Sequence, residues 1–359
     1  MLLKKVNLLF SKISSNKHSR ELISKGTSAL MFRLIGLFLS YFFTVQVTKY
    51  YGVDAWGVFT LFFAFIQISS KIARFGFDKG AIKFIAEYRV KENKDAIGNF
   101  YYIMILIVLV ISSIFSIVSF IFSTSIAEFL FKNSASAIYI KYAASCIIPF
   151  SLTTINAVSL KALKKIKQGE FLGHTVLFLL AILGLFLIKN TLNASEKVIE
   201  SFIYSIYGGC IISFIIWFKE SQIFTIRKES IVKFKEIIRV SLPLIFAGSL
   251  FLILGWADTF MLGYFKTTEE VGAYNVITKI ARFSTIIIVA VDSIFSSKIS
   301  EFSSRNDYKG LEQLAVYSSK LTFYITLPFF ILICTFPKLI LGVFNLSLIH
   351  ISEPTRQEA

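Results

Sequence analysis

Cysteine is almost missing from this chain, with three residues in 359. Cys146, Cys210 and Cys334 each fall inside an apolar run at no paired spacing, which excludes a disulfide framework and a thiolate metal site. Histidine is equally scarce. His18, His174 and His350 are scattered, so no metal site is expected. Proline occupies five positions. Pro243 reads as a helix start, where its missing N–H costs nothing, Pro149 as a kink in mid-run, and Pro328 and Pro337 as bends. Also lacking are a glycine-rich phosphate loop and any polar stretch long enough to form an outer domain. The longest outer loop has about a dozen residues. The chain therefore holds no recognisable catalytic constellation, and no enzyme is expected.

Apolar blocks are what it has in abundance. Hydrophobic residues make up 55% and charged residues 17%, with mean hydropathy +0.70, more apolar content than a soluble domain of this length needs. The blocks predict nine membrane spans, at 27–48, 55–75, 100–123, 137–160, 171–188, 199–218, 241–264, 271–297 and 317–341. Most reach the ~20 residues a helix needs to cross the hydrocarbon core. Residues 1–26 are basic, with Leu2, Leu3, Val6, Leu9 and Ile13 at roughly helical spacing, and predict an interfacial segment. Residues 77–95 predict an amphipathic helix along the same surface. The net charge of +16 is no nucleic-acid signal, because lysines and arginines concentrate in alternate loops. The bias is about five to one, which by the positive-inside rule makes the N-terminus cytoplasmic.

Charge within the spans needs a reason. Arg33, Gln67, Asp258, Lys279, Arg282 and Lys320 lie inside apolar runs, and Lys71 and Arg74 sit at the exit of the second span. A charge at a helix centre costs about 2.5–3.5 kcal/mol, so such residues face a cavity or a partner. Lys279 and Arg282 are one turn apart and share a helix face. Asp258 lies at a depth similar to Lys279, which leaves open an ion pair between them or a role in ion coupling. Arg33 and Lys320 lie about two turns from the cytoplasmic edge, where snorkelling to headgroups is the competing reading.

The stretch holding the deepest charges, residues 240–305, has an echo near the N-terminus. Trp56-Gly57-Val58-Phe59 lines up with Val271-Gly272-Ala273-Tyr274, and at the same offset Lys83 falls on Lys298. With six spans between them, both copies start on the same side of the membrane. Parallel repeats of this kind are a transporter signature, with the substrate site between the halves. The expected fold class is an all-α polytopic membrane protein of two parallel six-helix repeats. Residues 27–218 form the first bundle and 219–240 a cytoplasmic linker, while 241–344 form an incomplete second bundle of three helices.

The motifs now in order resemble a known family. In the first half they are Tyr51-Gly-Val-Asp-Ala-Trp-Gly-Val-Phe-Thr-Leu and Gly76-Phe-Asp-Lys-Gly-Ala-Ile-Lys-Phe-Ile-Ala-Glu-Tyr. In the second they are Leu242-Pro-Leu, Asp258-Thr-Phe-Met-Leu-Gly-Tyr-Phe and Val271-Gly-Ala-Tyr-Asn-Val-Ile-Thr-Lys-Ile-Ala. Over most of residues 20–344 the chain is similar to the O-antigen-type polysaccharide flippases of the multidrug/oligosaccharidyl-lipid/polysaccharide (MOP) exporters, which share a MATE-like two-bundle transporter fold. The resemblance implies transport of an undecaprenyl-pyrophosphate-linked oligosaccharide, the repeat unit of an O-antigen, capsule or exopolysaccharide, across the bacterial cytoplasmic membrane. It implies membrane lipids, a polysaccharide polymerase and a chain-length regulator as partners, no nucleic acid, and no cofactor beyond a proton or sodium gradient. Arg33, Lys279, Arg282 and Lys320 then supply the cations of a substrate cavity, with Gln67, Lys71, Arg74 and Asp258 lining it or coupling it.

Two other classes compete. A MATE-type cation-coupled drug antiporter needs buried carboxylates, whereas the membrane-depth charges here are mostly basic. A membrane polymerase or glycosyltransferase needs extramembrane loops bearing catalytic groups, and the outer loops are short. After Phe344 the chain becomes polar and unlike anything upstream. Residues 345–359 are expected to be a non-native tail on a chain stopping short of the twelve or more spans of the family it resembles, and a non-functional fragment of a flippase gene is a further reading.

Overall fold

The computed structural model describes residues 17–131, 134–188, 193–222, 234–304 and 307–346. Every regular element among them is a helix. In chain order these are α1 (Lys17–Tyr50), α2 (Val53–Ala73), α3 (Phe77–Val90), α4 (Lys94–Ile121), α5 (Ser123–Phe131) and α6 (Ala137–Ala162). Then come α7 (Ile166–Leu187, with a π-helical turn at Phe171–Thr175), α8 (Ala194–Ser221) and α9 (Phe234–Phe265). The last three are α10 (Thr268–Ser304), α11 (Tyr308–Thr335) and α12 (Pro337–Val343). Among the described residues, eight helices are long and apolar enough to cross a membrane. The remaining expected span corresponds to α10. Its 37 residues give ~55 Å of helix, longer than the ~30 Å hydrocarbon core.

Local chemistry explains the boundaries. Gly76, at φ +74°, takes the left-handed turn that redirects the chain from α2 into α3. Asn93 caps α4, its side chain accepting from Ala96 N at 2.9 Å.

The described part of the expected interfacial segment, residues 17–26, continues into the first span as α1 (Met1–Asn16 lie outside the described residues). Two expectations are corrected. Pro243 lies inside α9, because the helix extends back through the end of the linker. The last span is interrupted rather than bent. Pro337 starts α12, where it needs no N–H, while Phe336 before it is pushed out of the helical region (φ −123°, ψ 46°). Pro328 sits inside α11 as expected. Most of the expected tail, residues 347–359, lies outside the described residues.

Within the first six spans, α2, α4, α7 and α8 pack against α6, and α1 packs on α2 and α7. Its buried Ala143, Ala144, Ser151, Ala157 and Ser159 let neighbouring backbones approach closely, the usual basis of helix association in lipid. Ser151 and Thr153 return their hydroxyls to Ile147 O and Pro149 O at 2.7 and 2.8 Å. Buried Asn156 accepts from Tyr101 Oη at 2.6 Å and donates to Ser213 Oγ at 2.9 Å, tying α4, α6 and α8 together. Beside it the Tyr101 and Trp217 rings stack with centroids 4.0 Å apart.

The two halves meet where α2 crosses α10. A methyl on Gly57 would overlap Thr268 O and stand 3.0 Å from Gly272 N. A methyl on Gly272 would overlap Val53 O and stand 3.0 Å from Gly57 N. One offset of 215 residues carries Val53 onto Thr268 and Gly57 onto Gly272, so the contact is reciprocal. The repeat read from sequence is thus a physical joint. Thr268 Oγ1 donates to Asp54, and Trp56 Nε1 to Asn275 Oδ1 at 3.2 Å.

Candidate functional site

Lys279 lies on α10, ~16 Å along the helix from Thr268 at 1.5 Å per residue, about the middle of the ~30 Å hydrocarbon core. Its side chain reaches into the first half. Nζ donates to Ser40 O at 3.0 Å and Thr44 Oγ1 at 2.6 Å. It also stands 5.3 Å from the Tyr41 ring centroid, 5.0 Å from Trp56 and 5.9 Å from Phe178. The Tyr41 hydroxyl donates to the Lys279 carbonyl, so α1 holds both the side chain and the backbone of this residue.

The ion pair considered between Asp258 and Lys279 does not form. Asp258 accepts from Tyr274 Oη at 2.8 Å and from Thr259 N at 2.8 Å. Tyr274 and Lys279 are five residues apart, which turns them ~140° from each other around the helix. One faces Asp258 and the other faces α1.

Arg282 has a different environment. It is exposed, and its Nη2 makes a long bond of 3.3 Å to Gly255 O on α9. Ile280 and Ala281, between the two cations in sequence, line an apolar cavity of about 540 Å³ walled by Phe329, Phe330 and Ile333 of α11 and Ile340 of α12. Lys320, on α11, is exposed.

The remaining expected cations are neutralised. Arg33 pairs with Glu170 through two bonds, Nε to Oε2 at 3.0 Å and Nη2 to Oε1 at 3.1 Å. Lys161 Nζ at 3.1 Å and His174 Nε2 at 3.3 Å converge on the same carboxylate. Lys71 and Arg74 share Asp78, Arg74 Nε at 2.8 Å, and Arg74 also bonds Ser70 Oγ at 2.9 Å. Gln67, one turn before Lys71, is partly buried. Five of the eight expected site residues thus separate into an edge group tied to acids, Arg33, Lys71 and Arg74, and a mid-depth pair, Lys279 and Arg282, with no carboxylate in salt-bridge reach among the described residues; Lys320, Gln67 and Asp258 belong to neither. Glu170, Asp78, Lys161 and His174 were missed. The i,i+4 spacings Arg74–Asp78 and Glu170–His174 were visible in the sequence, but the link from Arg33 across 137 residues was not.

Burial alone would raise the Asp78 carboxyl, but Arg74 and Lys71 beside it override this and hold it below the usual carboxylate range. A native pKa held down adds stability that is complete above the unfolded value, about 4, and disappears as pH falls through the native one. Asp78→Asn should therefore destabilise the detergent-solubilised protein by about 3 kcal/mol at pH 7. The gap to wild type should close as the pH is taken below 4. A gap that stays constant across that range in thermal unfolding would show that this carboxylate carries no such linkage.

A family model described as polysaccharide biosynthesis protein matches residues 22–299. The probable low-salt glycan biosynthesis flippase Agl15 of Haloferax volcanii is 23% identical over 294 residues, covering 81% of this chain and 58% of that protein. The chain therefore spans little more than half the length of this curated relative. Among solved structures, the MATE multidrug transporter DinF-BH matches with TM-score 0.60 and 18% identity, over 92% of this chain and 76% of that one. A multidrug resistance MATE family transporter of the MOP superfamily in its inward-facing conformation matches with TM-score 0.64 and 14% identity, over 88% and 75%. At such identities the likeness establishes the fold, which is MATE-like.

Proposed function

The chain belongs to the polysaccharide biosynthesis protein family, and from that premise we propose that it is a flippase for an undecaprenyl-pyrophosphate-linked oligosaccharide. The cargo is the repeat unit of an O-antigen, capsule or exopolysaccharide, taken from the cytoplasmic to the outer leaflet of a bacterial cytoplasmic membrane. Arg282 is the observation that carries this reading. It is an exposed guanidinium at membrane depth, its one bond within the described residues is long, and its helix also lines an apolar cavity. The substrate combines the matching chemistries, an anionic pyrophosphate and an apolar polyprenyl chain. Guanidinium pairs with phosphate oxygens in bidentate fashion, while the cavity offers the polyprenyl chain a dry surface. Lys320 adds positive charge on the neighbouring helix. The chain's residues bind and carry, and no covalent step is assigned to them. A polymerase and a chain-length regulator would take over the product outside.

Removing the gene from its own cell should leave lipid-linked oligosaccharide accumulated inside and surface glycan depleted. Returning it with Arg282→Ala should give normal protein in the membrane and at least tenfold less export, with Arg282→Lys in between. Unchanged glycan and unchanged lipid intermediate after gene removal would sink the proposal.

The orientation belongs to the same reading and rests on the basic loops. Reporter fusions at Asp54, Ser195 and Thr268 should report the outside, and those at Asn93 and Lys165 the cytoplasm. One reversal among the five breaks the scheme.

A further inference from the structure

We propose that Lys279 is the tethered occupant of an organic-cation site, and that its presence keeps that site closed to cationic ligands. Three rings from three helices surround its ammonium: Tyr41 of α1, Trp56 of α2 and Phe178 of α7, at 5.3, 5.0 and 5.9 Å. A cation within about 6 Å of aromatic faces is attracted by the ring quadrupoles, and cages of several rings are how proteins take alkylammonium ligands. Two oxygen acceptors, Ser40 O and Thr44 Oγ1, complete the lining at 3.0 and 2.6 Å. Among the described residues no carboxylate lies in salt-bridge reach, so the rings and these two acceptors are what hold the charge.

The cage does not depend on its lysine. Trp56 is fixed by its bond to Asn275 at 3.2 Å and by an edge contact with Phe43 at 6.2 Å. Phe178 packs on Phe43 and Phe202 at 6.1 and 6.0 Å. Tyr41 donates to the backbone carbonyl of Lys279, a bond that survives any change of side chain. Cutting position 279 back to alanine, which keeps Cβ, therefore leaves a hole shaped for an n-propylammonium ion, with π faces and two acceptors in place. While the lysine is present, its side chain fills the hole and leaves a free cation no room there.

The test uses the purified chain in detergent with n-propylammonium as probe, read by calorimetric titration and by thermal shift. Wild type should show no saturable binding. Lys279→Ala should bind at least tenfold more tightly than wild type and gain melting temperature with added probe. Lys279→Met, which refills the hole without charge, should behave like wild type. Adding Phe178→Leu to the alanine variant should abolish the gain. Should Lys279→Ala fail to accumulate, cells grown with n-propylammonium should recover its membrane level. The proposal is overturned if the alanine and methionine variants respond alike, if wild type binds as well as the alanine variant, or if a poorly accumulating alanine variant is not rescued. None of these readouts depends on what the protein transports.

Discussion

Gly57→Val is expected to reduce the protein in the membrane to less than a tenth of wild type, and Gly272→Val to do the same. At either position even the first carbon of a side chain would occupy the place of a carbonyl oxygen on the opposite helix. No rotamer relieves that, because the clash is with backbone. Helices α2 and α10 would have to move apart, and overpacking of this kind costs about 1–3 kcal/mol or more. The separation would also break the bonds from Thr268 to Asp54 and from Trp56 to Asn275 and pull Lys279 away from α1. Gly255→Ala is the matched control. Nothing lies within 4 Å of its added carbon, and alanine should favour the helix by about 1 kcal/mol. Epitope quantitation in membranes and unfolding in detergent read all three. Wild-type level and melting temperature for Gly57→Val would show that the crossing is looser than described.

The glycine pair also shows what a sequence can reveal. The Trp56-Gly57 and Val271-Gly272 match made the repeat visible, and the apolar blocks made the spans visible, because lipid demands long apolar helices whatever their neighbours. Which face of a span meets which partner was not visible. Arg33 looked like a cavity cation because its acid, Glu170, sits 137 residues away beside a loop. Lys279 looked free to meet a substrate because no local pattern places Tyr41, Trp56 and Phe178 around one point. Pro243 looked like a boundary because the linker behind it is polar, yet a polar segment can extend a helix beyond its apolar part.

Glu170→Gln is expected to be the most damaging single change outside the crossing. The carboxylate is 3% exposed and collects Arg33, Lys161 and His174 within 3.3 Å. Without its charge, two permanent cations face each other at the end of α7 with no anion between them. Leaving buried charge unpaired in this way costs about 3–5 kcal/mol. The side chain of Arg33 is 49% exposed, so water softens its share and the larger penalty falls on the interior side. The pair Arg33→Gln with Glu170→Gln should be less harmful than Glu170→Gln alone, by about 1 kcal/mol or more, since coupled residues depart from additivity by about 0.5–3 kcal/mol. Unfolding in detergent at pH 7 decides it. Strictly additive effects would mean that the ion pair seen between α1 and α7 contributes nothing.

The crossing of α2 and α10 is the contact that two identical subunits would make across a two-fold axis, each giving the other what it receives. Residues on such an axis are bound to one another, since the same space must suit both. Residues away from it are not. The offset that places Gly57 on Gly272 places Ala64 on Lys279 and Gln67 on Arg282. One copy carries small or neutral side chains where the other carries cations, on the same helical plan. A bundle assembled from twin halves can in this way be lopsided in charge, its chemistry different on one side while the glycines that join the twins match.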